Sequence, residues 1–211
     1  MRSRRFGSWT RTKGKTVYYR RRRWSGRSVL VLFGTALILL SVGMLLSGFH
    51  ILGGSLPAPK DESLRLTVPK MQRVKNVPVY TAASSDTAKL DAGAIHLKDT
   101  GYPWQAGSNV YIAGHRLGYA RTGSFLLFYD LNRLQDGDTV VLKDTEGRKY
   151  IYRVFNEVVV APDDLSVTKP IAGKSVVSLQ ACTLPDYSHR LIVQAELIKT
   201  VEQPAPQASS G

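Results

Sequence analysis

Cysteine is nearly absent from this sequence, because Cys182 is the only one among 211 residues. One thiol cannot form a disulfide within its own chain, so a disulfide-stapled scaffold is excluded. A single thiol is either a buried, inert side chain or a reactive group. Composition alone leaves both possibilities open.

Acidic residues are absent from the first 28 positions, which hold eleven Lys and Arg. The remaining positions carry 18 basic and 16 acidic residues, so the formal net charge of +13 belongs almost entirely to this tail. A basic tail can bind nucleic acid, or it can set the topology of a membrane protein. The segment that follows decides between the two.

Charge of either sign is absent from Val29–Leu46, VLVLFGTALILLSVGMLL, and the apolar character continues to residue 52. About 20 such residues span a bilayer core of about 30 Å. The run is longer than that of an ordinary signal peptide and shows no clear A-x-A cleavage site. The pattern therefore predicts a cytoplasmic tail at 1–28 and a transmembrane helix at 29–52. It favours topology over nucleic-acid binding and places the remainder outside the membrane.

Composition marks two further boundaries. Residues 53–63, GGSLPAPKDES, are rich in Gly, Pro and Ser and read as a linker. Residues 201–211 are mostly polar, which is typical of a disordered tail. The predicted globular domain is therefore 64–200, an ordinary size for one domain.

This domain is predicted to be mainly β, with short segments rich in Val, Ile, Leu and Tyr between turn residues. The candidate strands are Leu64–Val68, Val77–Tyr80, Ala94–Leu97, Val110–Ala113, Thr139–Lys143, Lys149–Val160, Ser175–Ala181 and Arg190–Lys199. The turn Thr145–Gly147 predicts a hairpin between the fifth and sixth of these.

One short helix is expected at Gly123–Leu134, where Phe125, Phe128 and Leu131 recur at helical spacing. Eight short strands with so little helix indicate a closed barrel or a sandwich.

Among the four histidines, His115 is the best candidate for proton transfer. It follows the strand Val110–Ala113 and Gly114, and a side chain at the mouth of a strand is well placed for catalysis. His96 alternates with apolar residues, as a structural histidine would. His189 is next to Arg190, whose charge opposes protonation of the imidazole.

Cys182 ends one predicted strand and Arg190 begins the next. If the two strands pair antiparallel, directly opposed residues lie roughly 5 Å apart. A thiolate can attack an acyl carbon, an imidazolium can protonate the leaving amine, and a guanidinium can stabilise the oxyanion. The spacing alone leaves open that Arg190 is a solvated charge at a strand edge.

Three segments together resemble the sortases, the membrane-anchored cysteine transpeptidases of Gram-positive bacteria. NVYIAGHR at 109–116 is similar to the N-x-x-I-A-G-H-R segment of that family. SLQAC at 178–182 is similar to its T-L-x-T-C segment, and RLIV at 190–193 resembles the arginine strand that follows. The likeness extends over about residues 64–199. One departure is Ala181, which stands where the family has threonine.

The resemblance implies a sortase-type closed β-barrel of about eight strands with one or two short helices, behind one transmembrane helix. It implies that Cys182 is the nucleophile, that His115 is the general acid and base, and that Arg190 holds the substrate and the oxyanion. Leu179 and Ala181, beside the nucleophile, become candidate substrate-binding residues. Tyr119 becomes another, because actinobacterial class E sortases have a tyrosine there, which goes with preference for Leu-Ala-x-Thr-Gly over Leu-Pro-x-Thr-Gly.

The expected function is cleavage of the C-terminal sorting signal of secreted proteins and their transfer to an amine of a cell-wall precursor or a pilin. The expected location is the cell membrane, with the catalytic domain outside. Asp86, Asp91 and Asp99 read as scattered loop acids without metal-ligand spacing, so no metal or other cofactor is expected. Two alternatives stay open, namely a cysteine hydrolase without transfer and a non-enzymatic, membrane-tethered wall-binding domain.

Overall fold

The computed structural model describes residues 54–202. It contains eight strands, and the bounds of three agree fully with the sequence prediction while five differ by one or two residues. The strands are β1 Leu64–Thr67, β2 Val77–Ala82, β3 Ala94–Leu97, β4 Asn109–Ala113, β5 Thr139–Lys143, β6 Lys149–Val160, β7 Val176–Cys182 and β8 Arg190–Val201.

The strands close into one barrel in the order β1-β2-β3-β4-β7-β8-β6-β5. This confirms the barrel and excludes the sandwich. The predicted β5–β6 hairpin is confirmed by antiparallel pairing in which Lys143 lies opposite Lys149. Two neighbouring pairs, β2–β3 and β4–β7, are parallel. The parallel pairing matters for the site, because β4 and β7 then end at the same rim of the barrel.

Alternation along β7 separates a core face from an outer face. Val177, Leu179 and Ala181 point into the apolar core that fills the barrel. Gln180 and Cys182 lie on the outer face and are partly exposed, whereas Ser178 on the same face is buried. The outer face of β4 and β7 is therefore where polar side chains can meet a ligand.

The prediction of a helix over Gly123–Leu134 is wrong. Only a 3₁₀ turn at Leu131–Arg133 forms there, after a series of turns. Leu126 has a φ of 56°, which a right-handed helix does not permit. Its backbone N–H and that of Phe128 donate to the carbonyls of Leu117 and His115 instead of to helical partners. The apolar spacing at this segment therefore reflects packing under the barrel rim.

A helix that the sequence pattern did not predict, α1, spans Thr87–Ala92. The side chain of Asp86 caps it by accepting from the backbone N–H of Lys89. Asp91 therefore lies in a helix and not in a loop. Six residues are too few to show an apolar period, and none of them is buried, so this helix left no pattern to detect.

The segment assigned to a linker is attached to the barrel from residue 55 onward. Leu56 packs against the core, its N–H donates to the carbonyl of Trp104, and Arg148 Nη1 donates to the carbonyl of Pro57 at 2.8 Å. The predicted tail at 1–28, the predicted transmembrane helix and residues 203–211 lie outside the described residues. Within 54–202, no helix has the length and apolar character needed to cross a bilayer.

Candidate active site

Cys182 and Arg190 face each other across the last rung of the β7–β8 ladder. The connecting loop, 183–189, is closed by a hydrogen bond from the N–H of Thr183 to the carbonyl of His189 at 3.0 Å. The strand pairing that the spacing suggested is thus present. Both side chains belong to the outer face of the barrel.

His115 reaches the same rim from β4. Ala113 is paired with Gln180 in the parallel β4–β7 ladder, and the N–H of Gly114 donates to the carbonyl of Gln180 at 3.0 Å. The chain therefore leaves β4 beside the end of β7. Cys182, His115 and Arg190 together line one cavity of about 350 Å³.

A carboxylate, that of Asp91, contacts the imidazole of His115. Its Nε2 lies 3.0 Å from Oδ1 of Asp91, and the two side chains are 25% and 32% exposed. The ring of Tyr119 approaches it edge-on, with 6.3 Å between the ring centroids. Nothing in the sequence linked Asp91 to His115, because 24 positions separate them.

Arg190 is anchored at its own loop. Its Nη1 donates to the carbonyls of Tyr187 and His189, each at 3.1 Å. Within residues 54–202 these are the side-chain hydrogen bonds that it makes, so Nε and Nη2 have no hydrogen-bond acceptor there. A guanidinium fixed at one nitrogen is suited to holding an anionic or carbonyl oxygen with the others.

The other two histidines of the described part of the chain are absent from this cavity. His189 is exposed, and its Nδ1 lies 2.8 Å from the hydroxyl of Ser188. His96 is fully buried, and its ring nitrogens contact Thr81, Thr100 and the carbonyl of Gly101. This is the satisfied structural histidine that its alternating pattern predicted.

Several cavity residues were missed from the sequence. Tyr111 and Gln180 line it from the barrel, and the hydroxyl of Tyr111 donates to Oε1 of Gln180 at 2.7 Å. Burial raises the pKa of Tyr111 well above its usual range, so this hydroxyl remains protonated. The alternation that places Gln180 on the face of Cys182 could have identified it.

The opposite wall comes from the β6–β7 loop, residues 161–175. Asp164, Leu165 and Thr168 of this loop line the cavity, and Leu165 is 65% exposed. Their contact with the barrel joins segments that are distant in sequence, and no local pattern signals it.

The three residues proposed to bind substrate lie elsewhere. Leu179 and Ala181 are buried in the barrel core, on the face opposite Cys182. Tyr119 is 69% exposed and touches His115, but it does not line the cavity. Strand alternation explains the first two, since residues one and three positions before Cys182 must point inward when Cys182 points outward.

A larger cavity, of about 700 Å³, lies between β1, β2 and the β5–β6 turn. It is lined by mixed charges, among them Asp61, Arg65, Lys143 and Glu146, and it contains none of the three reactive groups. Size therefore does not identify the active site in this protein. Within residues 54–202, no three His, Cys, Asp or Glu side chains cluster closely enough to hold a metal ion.

Comparison with known proteins agrees with this geometry. The family model for the sortase domain matches residues 66–198. Sortase A of Streptococcus agalactiae is 33% identical over 129 residues, which are 60% of this chain and 50% of that protein. The chain thus spans about half the length of that curated relative.

Solved structures give the same result. Sortase A from Corynebacterium diphtheriae, a lid mutant, superposes with a TM-score of 0.58 at 27% identity, over 67% of this chain and 73% of that one. Sortase C-1 from Actinomyces oris superposes with a TM-score of 0.58 at 26% identity, over 66% of this chain and 74% of that one. By its family match, its barrel and its likeness to these proteins, the chain belongs to the sortase family.

Proposed function

We propose that this protein is a membrane-anchored cysteine transpeptidase that cleaves a C-terminal sorting signal and transfers the shortened protein to an amine. The observation that carries the proposal is the convergence of Cys182, His115 and Arg190 on one cavity. Sortases are cysteine transpeptidases, and these three side chains occupy the motif positions that resemble those of the family.

In the first half-reaction the thiolate of Cys182 attacks the carbonyl carbon of a Thr–Gly-type peptide bond. A C–S bond forms, and the carbonyl oxygen becomes an oxyanion that the free nitrogens of Arg190 stabilise. The C–N bond then breaks, and the imidazolium of His115 gives its proton to the departing amine. The product is a thioacyl enzyme.

In the second half-reaction a substrate amine attacks the thioacyl carbon. The neutral imidazole of His115 accepts a proton from that amine, and the C–S bond breaks to release the thiolate of Cys182. The acceptor is an amine of a cell-wall precursor or a pilin. Both half-reactions use the same cavity, and each is written with the side chains of this chain alone.

The location and the motif preference belong to the same proposal. The basic, acid-free tail and the uncharged run after it support an anchor at 29–52 with the catalytic domain outside the cell. The tyrosine at position 119 supports a class E type with preference for Leu-Ala-x-Thr-Gly. Its edge-on approach to His115, with 6.3 Å between the ring centroids, supports this part of the proposal, although Tyr119 does not line the cavity.

The test is a cleavage assay on a panel of peptides that differ at the second motif position, with and without an amine acceptor. We expect cleavage, faster with alanine than with proline at that position, and an amide product when the amine is present. Water as the main acceptor at saturating amine would show a hydrolase, and equal rates for the two motifs would contradict the class.

Variants assign the roles in the same assay. Cys182→Ala should abolish cleavage, and His115→Ala should lower the rate by a factor on the order of 10² to 10⁴. His189→Ala is the matched control and should stay active, because His189 lies outside the cavity. Cleavage by a folded Cys182→Ala protein would refute the proposal.

A further inference from the structure

We infer that Asp91 is a positioning residue for His115, and that its carboxylate fixes the ring tautomer and stabilises the imidazolium that protonates the leaving amine. This inference rests on the proposed function. Asp91 touches the ring of His115 but does not line the cavity, so it acts through the histidine and not on the substrate.

The contact determines which ring nitrogen carries the proton. A carboxylate can only accept, so Nε2 of His115 must be the donor to Oδ1 of Asp91 at 3.0 Å. In the neutral ring, Nδ1 is then the unprotonated nitrogen. The ring of His115 lines the cavity, so Nδ1 is the atom left to exchange a proton with the thiol and the amines.

One segment of backbone fixes both partners. The N–H of Ser124 donates to the carbonyl of Asp91 at 3.0 Å, and the N–H of Phe128 donates to the carbonyl of His115 at 2.9 Å. These bonds belong to the series of turns that replaced the predicted helix. A regular helix over 123–134 would use the N–H of Phe128 internally, so the bond to the carbonyl of His115 depends on the departure from helical geometry.

Two glycines permit the close packing that this arrangement needs. A Cβ at Gly123 would lie 2.2 Å from the carbonyl oxygen of Ala92, at the end of α1. A Cβ at Gly114 would lie 2.9 Å from the ring of Phe128. The helix that bears Asp91 and the loop that bears His115 are therefore pressed against the same turns.

The charged groups around His115 explain why a carboxylate beside its ring is favourable. The groups that face His115 or flank it are Asp91 from α1, Arg116 and Tyr119 from its own loop, Cys182 from β7, Arg190 from β8 and Asp164 from the β6–β7 loop. Arg190 opposes a second positive charge in the same cavity. Asp91 offsets that opposition at contact distance, whereas Asp164 faces the cavity from the other wall.

The test compares Asp91→Asn and Asp91→Ala with Asp86→Asn as the matched control. Asp86 is on the same helix, where it caps the first turn, and does not contact His115. We expect Asp91→Asn to lower kcat by about tenfold to a hundredfold, part of what a positioned acid–base group supplies. KM should change by less than about twofold, because Asp91 does not line the cavity. The pH–rate profile should change as well, because its limits are set by the coupled thiol and imidazole and Asp91 contacts that imidazole.

The ring nitrogens of His115 give a readout that does not depend on turnover. In the unaltered protein we expect ¹⁵N chemical shifts of a neutral ring protonated at Nε2, and in Asp91→Ala a mixture of both tautomers. Asp86→Asn should leave the shifts unchanged. If no peptide is cleaved by any form, the proposed function fails while the NMR comparison still tests the positioning.

Three results would overturn the inference. The first is an unchanged kcat and pH profile in a folded Asp91→Asn protein. The second is a rise in KM with kcat intact, which would mean that Asp91 contacts the substrate. The third is a loss of kcat in Asp86→Asn as large as in Asp91→Asn, which would show that the helix matters only as structure.

Discussion

At the scale of single residues, His96 is the side chain whose charge the fold most clearly opposes. Burial lowers its pKa below 6.5, while the hydrogen bond to the carbonyl of Gly101 and the charge of Glu62 act in the opposite direction. In the unfolded chain the ring titrates at its ordinary value. The unfolded state therefore binds a proton that the folded state resists, and this difference destabilises the fold at low pH.

We expect the contribution of His96 to the free energy of unfolding to be constant above about pH 7. It should fall as the pH drops below 6.5 toward the pKa of the folded state. The loss at pH 5.5 is at most about 1.4 kcal/mol, the limit set by one proton over one pH unit below the ordinary value. Urea denaturation at pH 7.5 and 5.5 measures it. His96→Gln cannot be protonated and should show a smaller difference between the two pH values.

The comparison of variants isolates His96, because every other ionisable side chain is the same in both proteins. Carboxylates with lowered pKa values, such as Asp138 beside Lys70, lose their stabilisation only at more acidic pH. An equal loss in the unaltered protein and in His96→Gln would show that another group is responsible.

The positions of site residues were predictable where they follow from strand pairing or from the alternation of side chains along one strand. Cys182 and Arg190 follow from two strands joined by a short loop, and the buried His96 follows from alternation. The contact of His115 with Asp91 was not predictable, since it depends on how α1 packs against a distant loop. Leu179 and Ala181 point into the core, because closeness to the nucleophile in sequence does not bring a side chain onto the same face of a strand.

At the scale of elements, the side chain of Asn109 ties the middle of the β6–β7 loop to the barrel. The amide of Asn109 donates to the carbonyls of Val167 and Lys169, each at 2.9 Å. Its Oδ1 accepts from the hydroxyl of Ser178, which in turn accepts from Gln194 at 3.3 Å. The loop that forms one wall of the cavity is therefore fixed to the strands that carry Cys182 and Arg190.

We expect Asn109→Ala to raise KM for a sorting peptide by roughly tenfold, with kcat changed by less than about threefold. Each lost hydrogen bond is worth about 1 kcal/mol, and substrate binding must then order the loop. Steady-state kinetics measure both constants. Ser178→Ala is the control, because it leaves both bonds from Asn109 to the loop in place and should affect KM less. A fall in kcat with KM unchanged would contradict a role in holding the wall.

Elements were predictable from the sequence to different degrees. Strands that alternate apolar and polar residues between clear turns, such as β5 and β6, were placed with their observed bounds. The segment 123–134 shows helical spacing, yet its backbone bonds to the loop of His115. Periodicity records which side chains are buried and does not record which partner the backbone selects.

At the scale of the whole domain, the N-terminal strap, residues 54–57, lies at the end of the barrel opposite the active site. Arg190 is paired with Val160 at one end of β6, and Arg148, which binds the carbonyl of Pro57, precedes Lys149 at the other end. Twelve residues of strand extend over roughly 35 Å. The linker assigned from composition is thus part of the folded domain, because its few apolar and carbonyl groups complete the barrel end.

The strap leads to the last prediction, which concerns where the domain can be cut. A chain of residues 54–202 should fold and be more stable than one of residues 61–202 by about 2–4 kcal/mol. The shorter chain loses the packing of Leu56 and leaves Nη1 of Arg148 without its acceptor in a side chain that is only 7% exposed. Urea denaturation of both measures the difference, and Leu56→Ala in the longer chain separates the packing from the carbonyl contact. The kcat should be the same in both, since the strap is at the far end of β6. Equal stability would mean that the strap adds nothing to the fold, and a lower kcat in the shorter chain would mean that the two ends of the barrel are coupled.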